Sequence, residues 1–166
     1  MSGGDSVDAL PLQVLIGPAA VIDFSDSKPG REISVNDLDA KLAGRRHERL
    51  LFRFDWSKYW GKDNYYKDYP FFSVPAASLL IERGVRLVGL DTPSPDNPAH
   101  CRGALPDSPV HKLLLSKNII LVEYLCNLGD LRKTDVELCV LPLKIKGGDG
   151  APARCVAIEL TEGGTE

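Results

Sequence analysis

The sequence predicts an α/β fold, a mixed sheet with flanking helices, and three observations carry that prediction. Strand-like and helix-like segments alternate through the middle of the chain, as they do when helices cross over a sheet. The rhythm changes at the end, where two apolar segments joined by a turn-rich link read as a hairpin. The length of 166 residues and the 43% apolar content suit one globular domain over 1–166, with residues 1–6 and 161–166 as loose ends.

Taken in order, residues 19–24 (AAVIDF) predict the first strand. Ser34 can cap a helix over 35–42, with Asp37 at the capping-box position. Residues 50–54 (LLFRF) predict a second strand. Ser73 followed by Pro75 announces a helix running through 78–82, which Gly84 is placed to end. A third strand over 85–90 (VRLVGL) runs into Asp91. Ser108 and Pro109 start another helix (VHKLLLSK) that Asn118 stops, and 119–125 (IILVEYL) is the fourth strand. Segments 136–145 and 154–160 form the hairpin, linked by the Gly- and Pro-rich 146–152.

Composition excludes several functions. Twenty Lys and Arg against 23 Asp and Glu give a net charge of −3, without the basic excess of a nucleic-acid-binding surface. No apolar run approaches the ~20 residues that span a bilayer, and residues 1–8 lack the basic start of a signal peptide. Cys101, Cys126, Cys139 and Cys155 form no CxxC pair, and three of them lie in apolar runs. That usage points to a reducing, cytoplasmic compartment. GxSxG, Walker A and GxGxxG motifs are absent.

A few residues stand out chemically. Glu123 sits in a segment that is apolar on both faces, where a carboxylate is costly unless it meets a cation or a metal. The alternative is a strand-end Glu that reaches solvent or an arginine. His111 lies one turn into the preceding helix, so it can converge with Glu123 at a sheet edge; a surface or satisfied core histidine is the competing reading. His47 falls in a charged link and His100 in a long loop. Asp91 marks the carboxyl end of a strand, where open α/β sheets place ligands, but it also suits an Asx turn. Residues 55–72 hold both tryptophans and four of the five tyrosines. They suit a wall for a flat substrate, a ring-anchored loop or a dimer contact equally well.

Several segments together resemble the C-terminal two-thirds of the cyclase family of metal-dependent hydrolases, which includes bacterial kynurenine formamidase and isatin hydrolase. They are LPL at 10–12, IGPAAVID at 16–23, LFRFDW at 51–56, GVRLVGLDTPS at 84–94, His111 with Glu123, LPLK at 141–144 and GDGAPAR at 148–154. The resemblance implies a swivelling β/β/α fold that assembles as a homodimer or higher oligomer. It also implies that His111 and Glu123 are ligands of a divalent metal, zinc or manganese, with Glu123 able to bridge two ions. The metal would activate water and polarise an amide carbonyl. The small-molecule substrate would be an aryl formamide such as N-formylkynurenine, in tryptophan catabolism, or a cyclic amide such as isatin. Asp91, Thr92 and Ser94 would line the site, and Trp56 and Trp60 would contact substrate.

The family's His-x-x-x-His-x-Asp motif is missing, since the three histidines are His47, His100 and His111. That motif supplies most of the ligands and the catalytic histidine, so no catalytic residue is expected within this chain. The sequence thus reads as N-terminally truncated. The expectation is a hydrolase inactive in this form alone or, in a different class, an inactive paralogue acting as an oligomerising or binding module.

Overall fold

The computed structural model describes residues 5–100 and 107–160. The elements run α1 (Leu12–Leu15), β1 (Ile16–Asp23), β2 (Glu32–Ile33), α2 (Val35–Leu42), β3 (Arg49–Arg53), β4 (Phe71–Phe72) and α3 (Val74–Glu82), followed by β5 (Leu87–Leu90), α4 (Pro109–Leu115), β6 (Ile120–Val122), β7 (Asp135–Pro142) and β8 (Ala153–Ile158). Six strands form one mixed sheet in the order β6-β5-β3-β1-β7-β8. From β6 to β1 the neighbours are parallel; β7 is antiparallel to both β1 and β8. Strands β2 and β4 make a separate two-residue parallel pair. No helix among the described residues is long and apolar enough to cross a membrane.

Alternation along each strand divides the core in two. Ala20, Ile22, Leu50, Phe52, Val88 and Leu90 face the helices, packing on Leu38 and Leu42 of α2, Ala76, Ala77 and Leu80 of α3, and Val110 and Leu114 of α4. Ala19, Val21, Leu51 and Leu87 face the other way, onto Val14 and Leu15 of α1 and Leu125 and Leu128 beyond β6. The inward residues of β7, Val136, Leu138 and Val140, complete that second layer. Gly89 of β5 has no room for a side chain: a Cβ there would lie 2.6 Å from Leu51 Cδ2 and 2.9 Å from Leu125 Cδ1.

Local chemistry explains the helix boundaries. The Ser34 hydroxyl accepts from Asp37 N while the Asp37 carboxylate accepts from Ser34 N, the reciprocal capping box the sequence predicted. Ser73 caps α3 by accepting from Ala76 N, and Gly84, at φ +75°, turns the chain away. The start of α4 differs from expectation. Ser108 has a left-handed backbone (φ 46°), so its hydroxyl makes no cap and donates to Asp107 instead. The first-turn N–H groups of Val110 and His111 donate instead to the Asp96 carboxylate, from a loop 14 and 15 residues away in sequence.

The strand expected over 119–125 is shorter, Ile120–Val122, and it is an edge strand whose residues are only partly buried. Glu123 follows its end rather than lying within it. Of the expected loose ends, 1–4 and 161–166 lie outside the described residues, as does Cys101.

Candidate functional site

The site forms where β5 and β6 end side by side. Tyr124, at φ 61°, bends the chain just after Glu123 and donates its N–H to Thr92 O, while Leu125 N donates to Leu90 O. These bonds continue the β5–β6 pairing past the strand proper and fix Glu123 at the carboxyl edge of the parallel sheet. Helix α4 packs against the same edge, and its first turn carries His111. The two side chains meet there: His111 Nε2 lies 3.1 Å from Glu123 Oε1.

On the other side of the ring, His111 Nδ1 lies 2.6 Å from Oδ2 of Asp96. Burial opposes a charge on His111, but the hydrogen bond to Asp96 and the negative charges of Glu123 and Asp96 outweigh it and push the imidazole up to about 9. The buried Oε1 of Glu123 nevertheless has no hydrogen-bond partner among the described residues, because the close imidazole nitrogen is not aligned for one. An orphaned buried carboxylate oxygen beside an imidazole nitrogen is a donor pair of the type zinc and manganese take. Asp96 holds the ring's other nitrogen as outer partners of metal-bound histidines do. The residues therefore fit two positions of a metal's shell. Among the described residues no group of three or more His, Cys, Asp and Glu is placed to hold an ion.

A cleft of about 510 Å³ is lined by Tyr66, Lys67, Tyr69, Pro93, Ser94, Pro98, Ala99 and Tyr124, the last of these following Glu123 in the chain. Trp60 stands near its rim, 65% exposed, edge-on to Tyr65 and Tyr124 with ring centroids 5.1 and 6.0 Å away. Of the residues the sequence offered as substrate contacts, Ser94 lines the cleft and Trp60 lies against one of its rings. The other three are committed to the fold. Trp56 is buried, its indole N–H donating 2.9 Å to Tyr65 O, which makes it an anchor of the 55–72 loop. Asp91 is buried and makes no Asx turn; its two oxygens accept from Phe54 N (2.9 Å) and Trp56 N (3.1 Å), tying the ends of β5 and β3 together. Burial pushes its carboxyl up to about 6, against the pull of those donors. Thr92 is buried, with its hydroxyl donating to Ser94 O.

Sequence reasoning missed Asp96. It is one of several turn-forming residues in DTPSPD, and nothing in its spacing from His111 sets it apart. His47, in the charged link before β3, reaches Asp135, with Nε2 3.2 Å from Oδ1.

Known proteins resemble this chain in sequence and in fold. Residues 1–97 match the family model Cyclase, "Putative cyclase". The chain is 37% identical over 158 residues to kynurenine formamidase of Salinibacter ruber, covering 92% of this chain and 68% of that one. Isatin hydrolase A of Labrenzia aggregata superposes with a TM-score of 0.81 at 30% identity, over 94% of this chain and 66% of that chain. A "predicted metal-dependent hydrolase" from Bacillus stearothermophilus gives a TM-score of 0.72 at 28% identity, over 94% and 70%. The chain thus spans about two-thirds of the length of these relatives. Fold, sequence and the family match agree, and the chain belongs to the cyclase family.

Proposed function

We propose that the chain works as part of a metal-dependent hydrolase of aryl or cyclic amides. N-formylkynurenine, cleaved to kynurenine and formate in tryptophan catabolism, is the leading substrate, and isatin or another cyclic amide is the close alternative. The observation that carries this reading is the pairing of His111 Nε2 with the orphaned Oε1 of Glu123, 3.1 Å apart at the carboxyl edge of the sheet. When bound, a zinc or manganese ion supplies Lewis-acid polarisation of the amide carbonyl and an acidified water.

This chain's residues hold and orient. His111 and Glu123 offer one nitrogen and one carboxylate to the ion, and further donors come from outside the described residues. The tyrosines of the cleft, with Trp60 at its rim, give an aryl ring apolar faces to lie against. The working unit on this reading is a cytoplasmic homo-oligomer, and the names of the relatives, kynurenine formamidase and isatin hydrolase, support the substrate class.

The test is metal content. The chain dialysed against zinc or manganese is expected to retain the ion, and Glu123→Leu to lose it; equal content in the two proteins would sink the assignment. A second reading, a binding module without catalysis, is favoured by the lack of a third donor among the described residues. It expects no stoichiometric metal in the wild type, and unchanged or greater stability in Glu123→Leu because a buried charge is removed.

A further inference from the structure

We propose that Asp96 is the positioning residue of this site: its carboxylate locks the first turn of α4 and the His111 ring into one unit, holding the ring proton on Nδ1 and turning Nε2 toward Glu123 and a divalent metal. The inference rests on reading His111 and Glu123 as metal ligands.

Asp96 is completely buried. Its Oδ1 accepts from Val110 N at 2.6 Å, and its Oδ2 accepts from His111 N at 3.0 Å while lying 2.6 Å from His111 Nδ1. The loop that carries it is held in turn, since Asp96 N donates to the Ser94 hydroxyl at 3.1 Å. A helix cap needs only the two main-chain bonds. The third contact shares one oxygen between the backbone and the ring of a single residue, which fixes the rotamer of His111 as well as its helix.

An ionised carboxylate only accepts, so the nitrogen facing it carries the hydrogen. When the ring gives up one proton, as binding a metal requires, the lone pair therefore falls on Nε2, the atom that points at Glu123. An asparagine at 96 cannot make all three contacts: its NH2 in the place of Oδ2 favours a hydrogen on Nε2, which blocks the ligand position, and faces His111 N, whereas in the place of Oδ1 it faces Val110 N.

The experiment uses the full chain and zinc chloride. Zinc affinity is measured by competition with a chromophoric chelator for wild type, Asp96→Asn and His111→Ala, with circular dichroism to establish folding. Ring ¹⁵N spectra of histidine-labelled wild type are recorded with and without zinc. We expect zinc to shift Nε2 of His111 while Nδ1 keeps the signature of a protonated nitrogen. Asp96→Asn is expected to weaken zinc binding about tenfold or more while remaining folded. Zinc on Nδ1 in the wild type, or wild-type affinity in Asp96→Asn alongside loss in His111→Ala, overturns the positioning role alone. Failure of the wild type to bind zinc, or wild-type affinity in His111→Ala, overturns the metal reading and the positioning role with it. The wild-type spectra decide the matter even if Asp96→Asn does not fold.

Discussion

The two edges of the six-stranded sheet are finished in opposite ways. At one, β6 lies against α4, and its end meets the loops that follow β3 and β5, so His111, Glu123 and Asp96 meet there from three segments, while Asp91 ties the loop after β3 to the end of β5. At the other, β8 continues an antiparallel hairpin whose outer side leaves Val156 44% and Ile158 52% exposed. The difference follows from connectivity. Parallel neighbours require crossovers, and each crossover brings a helix and two loops to the sheet. A hairpin needs only a turn, so it closes one core layer through Val136, Leu138 and Val140 and, among the described residues, leaves its other face open. Polar chemistry accumulates where crossovers converge.

Mutations from the packed side of the sheet to its open edge sharpen this contrast. The largest effect is expected at Phe52, fully buried between sheet and helices and 4.9 Å edge-on to Phe72; Phe52→Ala should cost ~3–5 kcal/mol in chemical denaturation. Next is the pH dependence of Asp91. Its carboxyl titrates near 3.8 when unfolded and at about 6 when folded, so folding favours the protonated form. That contribution is present in full below the unfolded value and is lost as pH rises through the folded one. The stability of wild type relative to Asp91→Asn should therefore fall between about pH 4 and about pH 7, by up to ~3 kcal/mol. Equal differences at the two pH values would mean that Asp91 is not paying for its burial.

Gly89→Ala forces a methyl against Leu51 and Leu125 and should cost ~1–3 kcal/mol, read from the shift of the denaturation midpoint. Ser34→Ala removes half of a capping box and should cost ~1 kcal/mol, together with faster amide exchange in the first turn of α2. Ile158→Ala, on the open side of the hairpin, should change stability by no more than ~0.5 kcal/mol. A loss there comparable to that at Phe52 would show the hairpin's outer face to be covered in solution, and the contrast between the edges would fail.

What was legible in the sequence follows the same division. Elements announced by local chemistry stand where expected: the Ser34 box, the Ser73 and Pro75 start of α3, the Gly84 stop and the terminal hairpin. The convergence of His111 and Glu123 was readable because a short helix packs back on the strand it precedes. Elements held only by distant partners were hidden. Strands β2 and β4 are two residues each and exist by pairing with one another, and α1 is a single turn behind Pro11. Asp96 was invisible for the same reason: its three partners are created by the docking of α4, and a run of prolines and serines around an aspartate looks like any turn. Trp56 and Trp60, alike in sequence, ended in opposite environments, one pinned in the loop and one at its surface.

Arg49 carries a consequence for strand alignment. Its guanidinium is buried beneath β1, donating to the carbonyls of Gln13, Val14 and Pro18, while Gly17, at φ +137°, lies against it so closely that a Cβ there would stand 3.1 Å from the guanidinium carbon. A slip of β1 against β3 by even one step would remove the glycine from the cation and strand those donors in an apolar layer, at a cost of several kcal/mol. The arginine thus acts as a ratchet pawl on the central parallel pair, admitting one alignment of the two strands and rejecting its neighbours.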